Sequence, residues 1–333
     1  MSTIQREQNL IVRDKDTKIM VVQGVAGSGK TSIALHRIAY LLYKNRKNIN
    51  SSNIIIISPN AVFSDYISNI LPELGEENIC EMKFDELAHK ELKGLGTLEG
   101  KYTQTEYIIM VNKPDDIRIQ RINLKNTSVY TKEIISYIDV LERKIISYKD
   151  LVFHDIIYEK EVIQSLYENR FHTKPIFERL KMISDYIADR YETDFNVSVS
   201  KKSRQQIYDS LLEMFNFTDV VALYQNFVDY LSNRYDILNG DKIDTCEILY
   251  EDIYPIVLIK ILLFGTQGFQ NIKHVIIDEM QDYNATQYEI LNRIFDCNMT
   301  ILGDIQQVIY KTNDDVIEKL RDYLVRSMYQ GIT

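Results

Sequence analysis

Apolar positions along the chain fall into two rhythms, and the change from one to the other divides it. KIMVVQ at 18–23, NIIIISPN at 53–60, IKHVIIDEM at 272–280 and MTILGD at 299–304 each carry a short apolar centre without polar alternation. Such runs suit strands buried on both faces. Between them the spacing becomes helical. Ile33, Ile38, Leu41 and Leu42 recur over Thr31–Tyr43, AVFSDYISNILPELG reads as a helix closed near Pro72 and Gly75, and a further helix is expected around Gln287–Phe295. Strands alternating with helices predict an α/β fold, a parallel sheet with helices on both faces.

From about 95 to 245 the strand rhythm gives way. Ile134, Ile135, Ile138, Leu141 and Ile145, then Leu211, Leu212, Phe215, Val220, Val221, Tyr224, Phe227 and Leu231, follow a period of 3.6. This predicts a mainly α-helical inserted subdomain over 95–245, inside a discontinuous domain formed by 1–94 and 246–333. TQTEYIIMV at 103–111 is expected to add a strand to the insertion.

Composition narrows the class without choosing within it. The 333 residues are 45% apolar and 26% charged, ordinary for a globular protein. There is no apolar run of membrane-spanning length and no apolar signal region in MSTIQREQN, so no membrane association and a cytoplasmic location are expected. Cys80, Cys246 and Cys297 are too few and too scattered for a disulfide framework or a zinc site and read as reduced packing residues; the five histidines show no metal-ligand spacing and read as structural or surface residues. Net charge is −9, distributed as +1 over 1–90, −5 over 91–250 and −5 over 251–333. Broad electrostatic grip on nucleic acid is thereby excluded, because that grip comes from Lys and Arg against phosphates.

The chemistry is concentrated at two strand ends. Gly24 to Thr31 spell GVAGSGKT after the KIMVVQ strand and before a helix, the G-x-x-x-x-G-K-[ST] phosphate loop of P-loop NTPases. Its glycines, Gly24, Gly27 and Gly29, let backbone N–H groups around Ala26 and Ser28 turn toward phosphate oxygens, and the helix N-terminus adds its dipole. Lys30 is expected at the β- and γ-phosphates of ATP and the Thr31 hydroxyl on Mg²⁺. VIIDEMQD at 275–282 delivers two adjacent carboxylates at a strand end. Asp278 is expected to hold Mg²⁺ and Glu279 to orient or deprotonate water.

The order of these motifs resembles the first motor domain of superfamily 1 helicases of the UvrD/Rep type. IQREQNLIV resembles the family's glutamine motif, which implies that Gln8 reads the adenine edge. GVAGSGKT with LHRIAYLL resembles motif I and its helix, which adds Ser32 and Arg37 to the nucleotide-binding set. DEMQDYNATQYEIL resembles motif II, implying that Gln281 couples nucleotide state to an opposite domain. LGDIQQVIY resembles motif III, which implies Gln307 near the γ-phosphate and Tyr310 on the nucleic-acid side.

SPNAVFSDYISNILPELGE at 58–76 and Tyr250-Glu251-Asp252 are similar to the HelD branch, whose known members act on RNA polymerase, although Asp252 reads equally well as a helix cap. The resemblance implies DNA as one partner and RNA polymerase as the other. After Tyr310 the chain reads KTNDDVIEKL, without the Trp-Arg run with which DNA-translocating relatives stack bases, and it contains no Trp. It ends before motifs that would bring arginines from a second motor domain, and it lacks the N-terminal coiled coil of HelD-type proteins, so a fragment is expected.

Overall fold

The computed structural model describes residues 3–14, 17–25, 27–59, 79–216, 219–266 and 268–304, the first five as backbone only. The helix expected over 61–75 lies outside these residues. The chain divides into two compact units, Lys132–Thr266 and the remainder.

In the first unit, α1 (Thr3–Arg13) precedes β1 (Ile19–Gln23), α2 (Lys30–Lys44), β2 (Ile54–Ile57), β3 (Cys80–Met82) and α3 (Phe84–Glu91). Two helices, α4 (Lys101–Val111) and α5 (Ile117–Lys125), and the start of α6 (Ser128–Ile145) follow. The five strands pair in the order β1-β7-β6-β2-β3, all parallel, where β6 is His274–Ile277 and β7 is Asn298–Gly303. Every residue of β2 and β6 is buried, as their unbroken apolar runs require. Val22, Ile38, Leu42, Ile54, Ile56 and Leu302 form part of one core between the sheet and α2. Each such side chain contributes roughly 1.5–3 kcal/mol by leaving water. Because all strands run the same way, β1, β7 and β6 end on one edge of the sheet, where doubly wound folds bind their ligands.

The second unit is built from the rest of α6, the hairpin of β4 (Leu151–Phe153) and β5 (Ile156–Tyr158), and helices α7 (Ile176–Phe195), α8 (Lys201–Leu212), α9 (Val220–Leu231) and α10 (Tyr250–Phe264). Its core is mainly aliphatic with some aromatic contacts: buried Tyr137 packs on buried Phe227 and on the more exposed Tyr230, with ring centroids 5.6 and 4.4 Å apart. Asp252 is not a cap. Leu249 precedes the first turn of α10, and the buried Asp252 carboxylate accepts a 2.6 Å hydrogen bond from the Tyr224 hydroxyl.

Two expectations need correction. Residues 103–111 are helical, within α4, started at Gly100 and stopped by Asn112 in the left-handed region. Their apolar run sits on the surface, with Ile109 and Met110 exposed, so no sheet claims it. By compact unit, α4 and α5 belong to the first and α10 to the second. The cysteines are free, but Cys80 and Cys246 are exposed rather than packed. No helix among the described residues is long and apolar enough to cross a membrane.

Candidate functional site

Gln23 ends β1, and the chain turns at once into the glycine loop. Gly27 and Gly29 have φ of 79° and 84°, a region costly for any residue with a Cβ. Gly24 is required for a different reason: a Cβ there would stand 2.3 Å from the Ser28 hydroxyl. Its N–H reaches the Gly303 carbonyl at 3.3 Å, which ties the loop to the end of β7. Gly29 precedes α2 and carries no side chain to cap it, so the first N–H groups of that helix are open to an anion. The Lys30 ammonium lies back over the loop, donating to the Gly24 carbonyl at 2.6 Å and the Val25 carbonyl at 3.2 Å.

Across the end of β7, β6 delivers the acidic pair. The Asp278 backbone N–H is fixed on Ile57 of β2 at 2.9 Å, and its side chain is buried. Burial, reinforced by Glu279, pushes its carboxyl up to about 6, while the Lys30 charge pulls the other way. The loop that carries Lys30 follows β1 and Asp278 follows β6, so both stand at the same edge of the parallel sheet. A buried carboxyl beside a second carboxylate, facing a lysine and an uncapped helix start, fits a phosphate carrying a divalent cation. Thr31, half-buried in the first turn of α2, is the hydroxyl available to share that cation with Asp278.

Glu279 turns the chain out of the sheet in the left-handed conformation, φ 50° and ψ 52°, which is uncommon for a residue with a side chain. Two contacts hold that turn. The Gln281 amide donates to the Glu279 Oε2 at 2.5 Å and accepts from the Asp304 N–H at 3.0 Å. The Tyr288 hydroxyl donates to the Met280 carbonyl at 2.5 Å. Gly303 lies beneath this turn, where a Cβ would meet Met280 Cγ at 2.3 Å and the Gln281 Oε1 at 2.7 Å.

The loop's other flank opens into a cleft of about 530 Å³ between α1 and α2, lined by Gln8, Asn9, Val12 and Arg13 from one helix and Gly29, Ser32, Ile33, His36 and Tyr40 from the other. Gln8 and Ser32 are thus brought together beside the phosphate loop. Arg37 is not among these residues. Only 1% exposed, it donates to the Ile11 and Asp14 carbonyls and to the Thr300 hydroxyl, so its expected nucleotide contact is corrected to a role inside the fold. Ala26, Gln307, Tyr310 and nearly all of 58–76 lie outside the described residues.

Sequence reasoning missed Gly303, Asp304 and Thr300. A glycine closing an apolar strand was the available signal for the first, since such glycines mark close backbone approach. Nothing in the sequence distinguishes a threonine that anchors a buried arginine from any other strand threonine.

Residues 4–322 match the UvrD/REP helicase N-terminal domain. The chain belongs to this family. Among curated relatives it is 24% identical over 326 residues to a probable DNA helicase II homolog of Mycoplasma pneumoniae, aligning 92% of this chain with 36% of that protein. It is 20% identical over 343 residues to a probable DNA helicase of the same organism, aligning 100% of this chain with 52% of the relative. It is also 23% identical over 317 residues to the ATP-dependent DNA helicase srs2 of Schizosaccharomyces pombe, where 92% of this chain covers 30% of that protein. The chain thus spans between about a third and a half of the length of these UvrD/Rep relatives.

Proposed function

We infer that this chain is the ATP-binding first motor domain of a DNA helicase, coupling ATP hydrolysis to movement on DNA. The observation that carries this reading is the meeting of Lys30 and the Asp278–Glu279 pair at one sheet edge, with the Gln8 cleft on the loop's other side. Gln8 has an amide that both donates and accepts, the pattern needed for the adenine edge. The loop N–H groups and Lys30 would hold the phosphates, and Thr31 and Asp278 would hold Mg²⁺, which would supply charge neutralisation to the phosphate. Glu279 takes the proton from the attacking water as its oxygen bonds to the γ-phosphorus and ADP departs.

The relatives named as DNA helicases are longer than this chain, which supports a second motor domain that supplies arginines to the γ-phosphate. Such an arginine is worth roughly 10³–10⁵ in rate. The 333 residues alone should then bind ATP and hydrolyse it slowly. The HelD-like reading, with RNA polymerase as partner, is supported by the wording of 58–76 and of Tyr250-Glu251-Asp252 and by the charge of −5 over 91–250.

Calorimetry with Mg²⁺ and ATP tests the site. Lys30→Ala should lose most affinity, and wild-type protein should prefer ATP to GTP. A mutant that binds ATP as the wild type does would sink the phosphate-loop reading.

A further inference from the structure

Arg37 lies one helical turn and more beyond the phosphate loop, fully inside the sheet unit, where a charged side chain is costly unless it is thoroughly bonded. Its partners are specific. The Nε donates to the Thr300 hydroxyl at 3.0 Å. One terminal nitrogen donates to the Ile11 carbonyl at 2.6 Å and also to the Asp14 carbonyl. The Thr300 oxygen also lies 3.0 Å from His274 Nε2. Burial, with the Arg37 charge nearby, lowers the His274 pKa to about 3, so the imidazole is neutral and the hydroxyl can donate to it.

The Ile11 carbonyl is in the last turn of α1, and the Asp14 carbonyl belongs to the residue that follows the helix. The last carbonyls of a helix have no partner within it and carry its negative pole, so a buried guanidinium there both satisfies them and complements the dipole. Immediately beyond, the Asp14 carboxylate accepts from the Thr17 N–H at 3.0 Å and its hydroxyl at 2.8 Å, just before β1. The other end of the tether is Thr300, paired in register with Met20 of β1 and Ile276 of β6. Gln8 stands three residues before Ile11 on α1, on the face that also presents Val12 to the cleft. A helix of 11 residues is marginal by itself in water, so what fixes its position fixes the cleft.

We propose that Arg37 is a positioning residue for base recognition: by tying the carboxyl end of α1 to Thr300 in the sheet, it holds Gln8 at the distance from α2 that an adenine needs. This rests on the ATP-binding reading above. It separates two parts of the site that share α2, because the phosphate loop is organised by Gly24, Gly27, Gly29 and the end of β7 rather than by Arg37.

Calorimetry with ATP, GTP and inorganic tripolyphosphate, each with Mg²⁺, separates those parts. Arg37→Lys cannot hold both carbonyls and the hydroxyl at once, and it should weaken ATP binding by about tenfold or more, the scale of one charge-assisted hydrogen bond. Preference for ATP over GTP should collapse, and tripolyphosphate should bind within about twofold of the wild type. Arg37→Gln should behave alike. Equal loss of ATP and tripolyphosphate would mean that Arg37 supports the whole site, and retained preference for ATP would mean that α1 is held without it; either result overturns the proposal. A wild-type protein that binds neither ATP nor tripolyphosphate overturns the nucleotide reading instead. Should both variants fail to melt cooperatively, hydrogen exchange on the wild type decides: the α1 amides around Gln8 should exchange as slowly as those of α2 without nucleotide, and fast exchange there defeats the tether.

Discussion

Gln281 links Glu279 to the end of β7: its amide nitrogen donates to the Glu279 carboxylate at 2.5 Å while its oxygen accepts from the Asp304 N–H at 3.0 Å. The residue proposed to activate water is thus aimed by a side chain that also senses the strand leading to residues 305 onward. A carboxylate held in this way does not have to be ordered during the reaction.

Gln281→Leu should therefore leave ATP affinity within about twofold and slow single-turnover phosphate release by roughly tenfold or more, part of the 10²–10⁴ a general base contributes. Glu279→Gln should remove nearly all of that contribution with ATP still bound. An equal fall in affinity and rate for Gln281→Leu would place it in binding rather than in aiming Glu279.

Gly303→Ala puts a methyl group 2.3 Å from Met280 Cγ and 2.7 Å from the Gln281 oxygen, inside a buried turn. Forced repacking of that kind costs about 1–3 kcal/mol. Urea unfolding should show the loss at an unchanged m-value, and turnover should fall further than stability explains because the displaced group is Gln281. Gly24→Ala meets the Ser28 hydroxyl instead and should damage phosphate binding first.

Asp278 should make nucleotide binding depend on pH through its cation. Its carboxyl is pushed up to about 6 by burial and by Glu279, and only the ionised form can hold Mg²⁺. Affinity for Mg²⁺ and ATP should be level above pH 7 and fall by about tenfold per unit below pH 6. Asp278→Asn should abolish the Mg²⁺ dependence. Calorimetry across pH 5 to 8 checks both, and a wild-type profile flat down to pH 5 would contradict them.

Much of the site was legible because its chemistry constrains the backbone. A phosphate loop needs glycine at Gly27 and Gly29, where φ is positive, and a strand that ends in Asp278 must be buried behind it, so both left marks in the sequence. Arg37 left none. An arginine in an amphipathic helix reads as a solvated or ligand-binding charge, and only packing shows that its partners are the Ile11 and Asp14 carbonyls and a threonine of β7. Residues 103–111 misled for a related reason: Ile108 to Val111 have the composition of a strand, yet they form the last turn of α4, with Ile109 and Met110 exposed. Helical periodicity likewise showed a mainly helical middle segment without showing which core each of its helices would join.

Two buried groups should oppose each other in the acid stability of the fold. His274 is neutral in the native state, with its pKa lowered by burial and the Arg37 charge to about 3 from 6.5. The unfolded chain takes up that proton first, so this group erodes stability as pH falls from 6.5, by about 2 kcal/mol at pH 5. Asp278 acts in the other direction. Its native carboxyl titrates at about 6 rather than 3.8, so the folded state keeps its proton longer, and stability is gained as pH falls from 6 toward 4. Between pH 6 and 4 the two contributions offset each other, and each single variant should uncover the other. Denaturant titrations of His274→Gln, whose amide can still meet the Thr300 hydroxyl, should show stability rising on acidification through this range. Asp278→Asn should show the steep fall that belongs to His274 alone, and should be the more stable protein at pH 8 by on the order of 1 kcal/mol, since a carboxylate kept for ligand binding is costly when buried without one. Parallel profiles for the two variants would mean that neither group titrates differently in the folded chain.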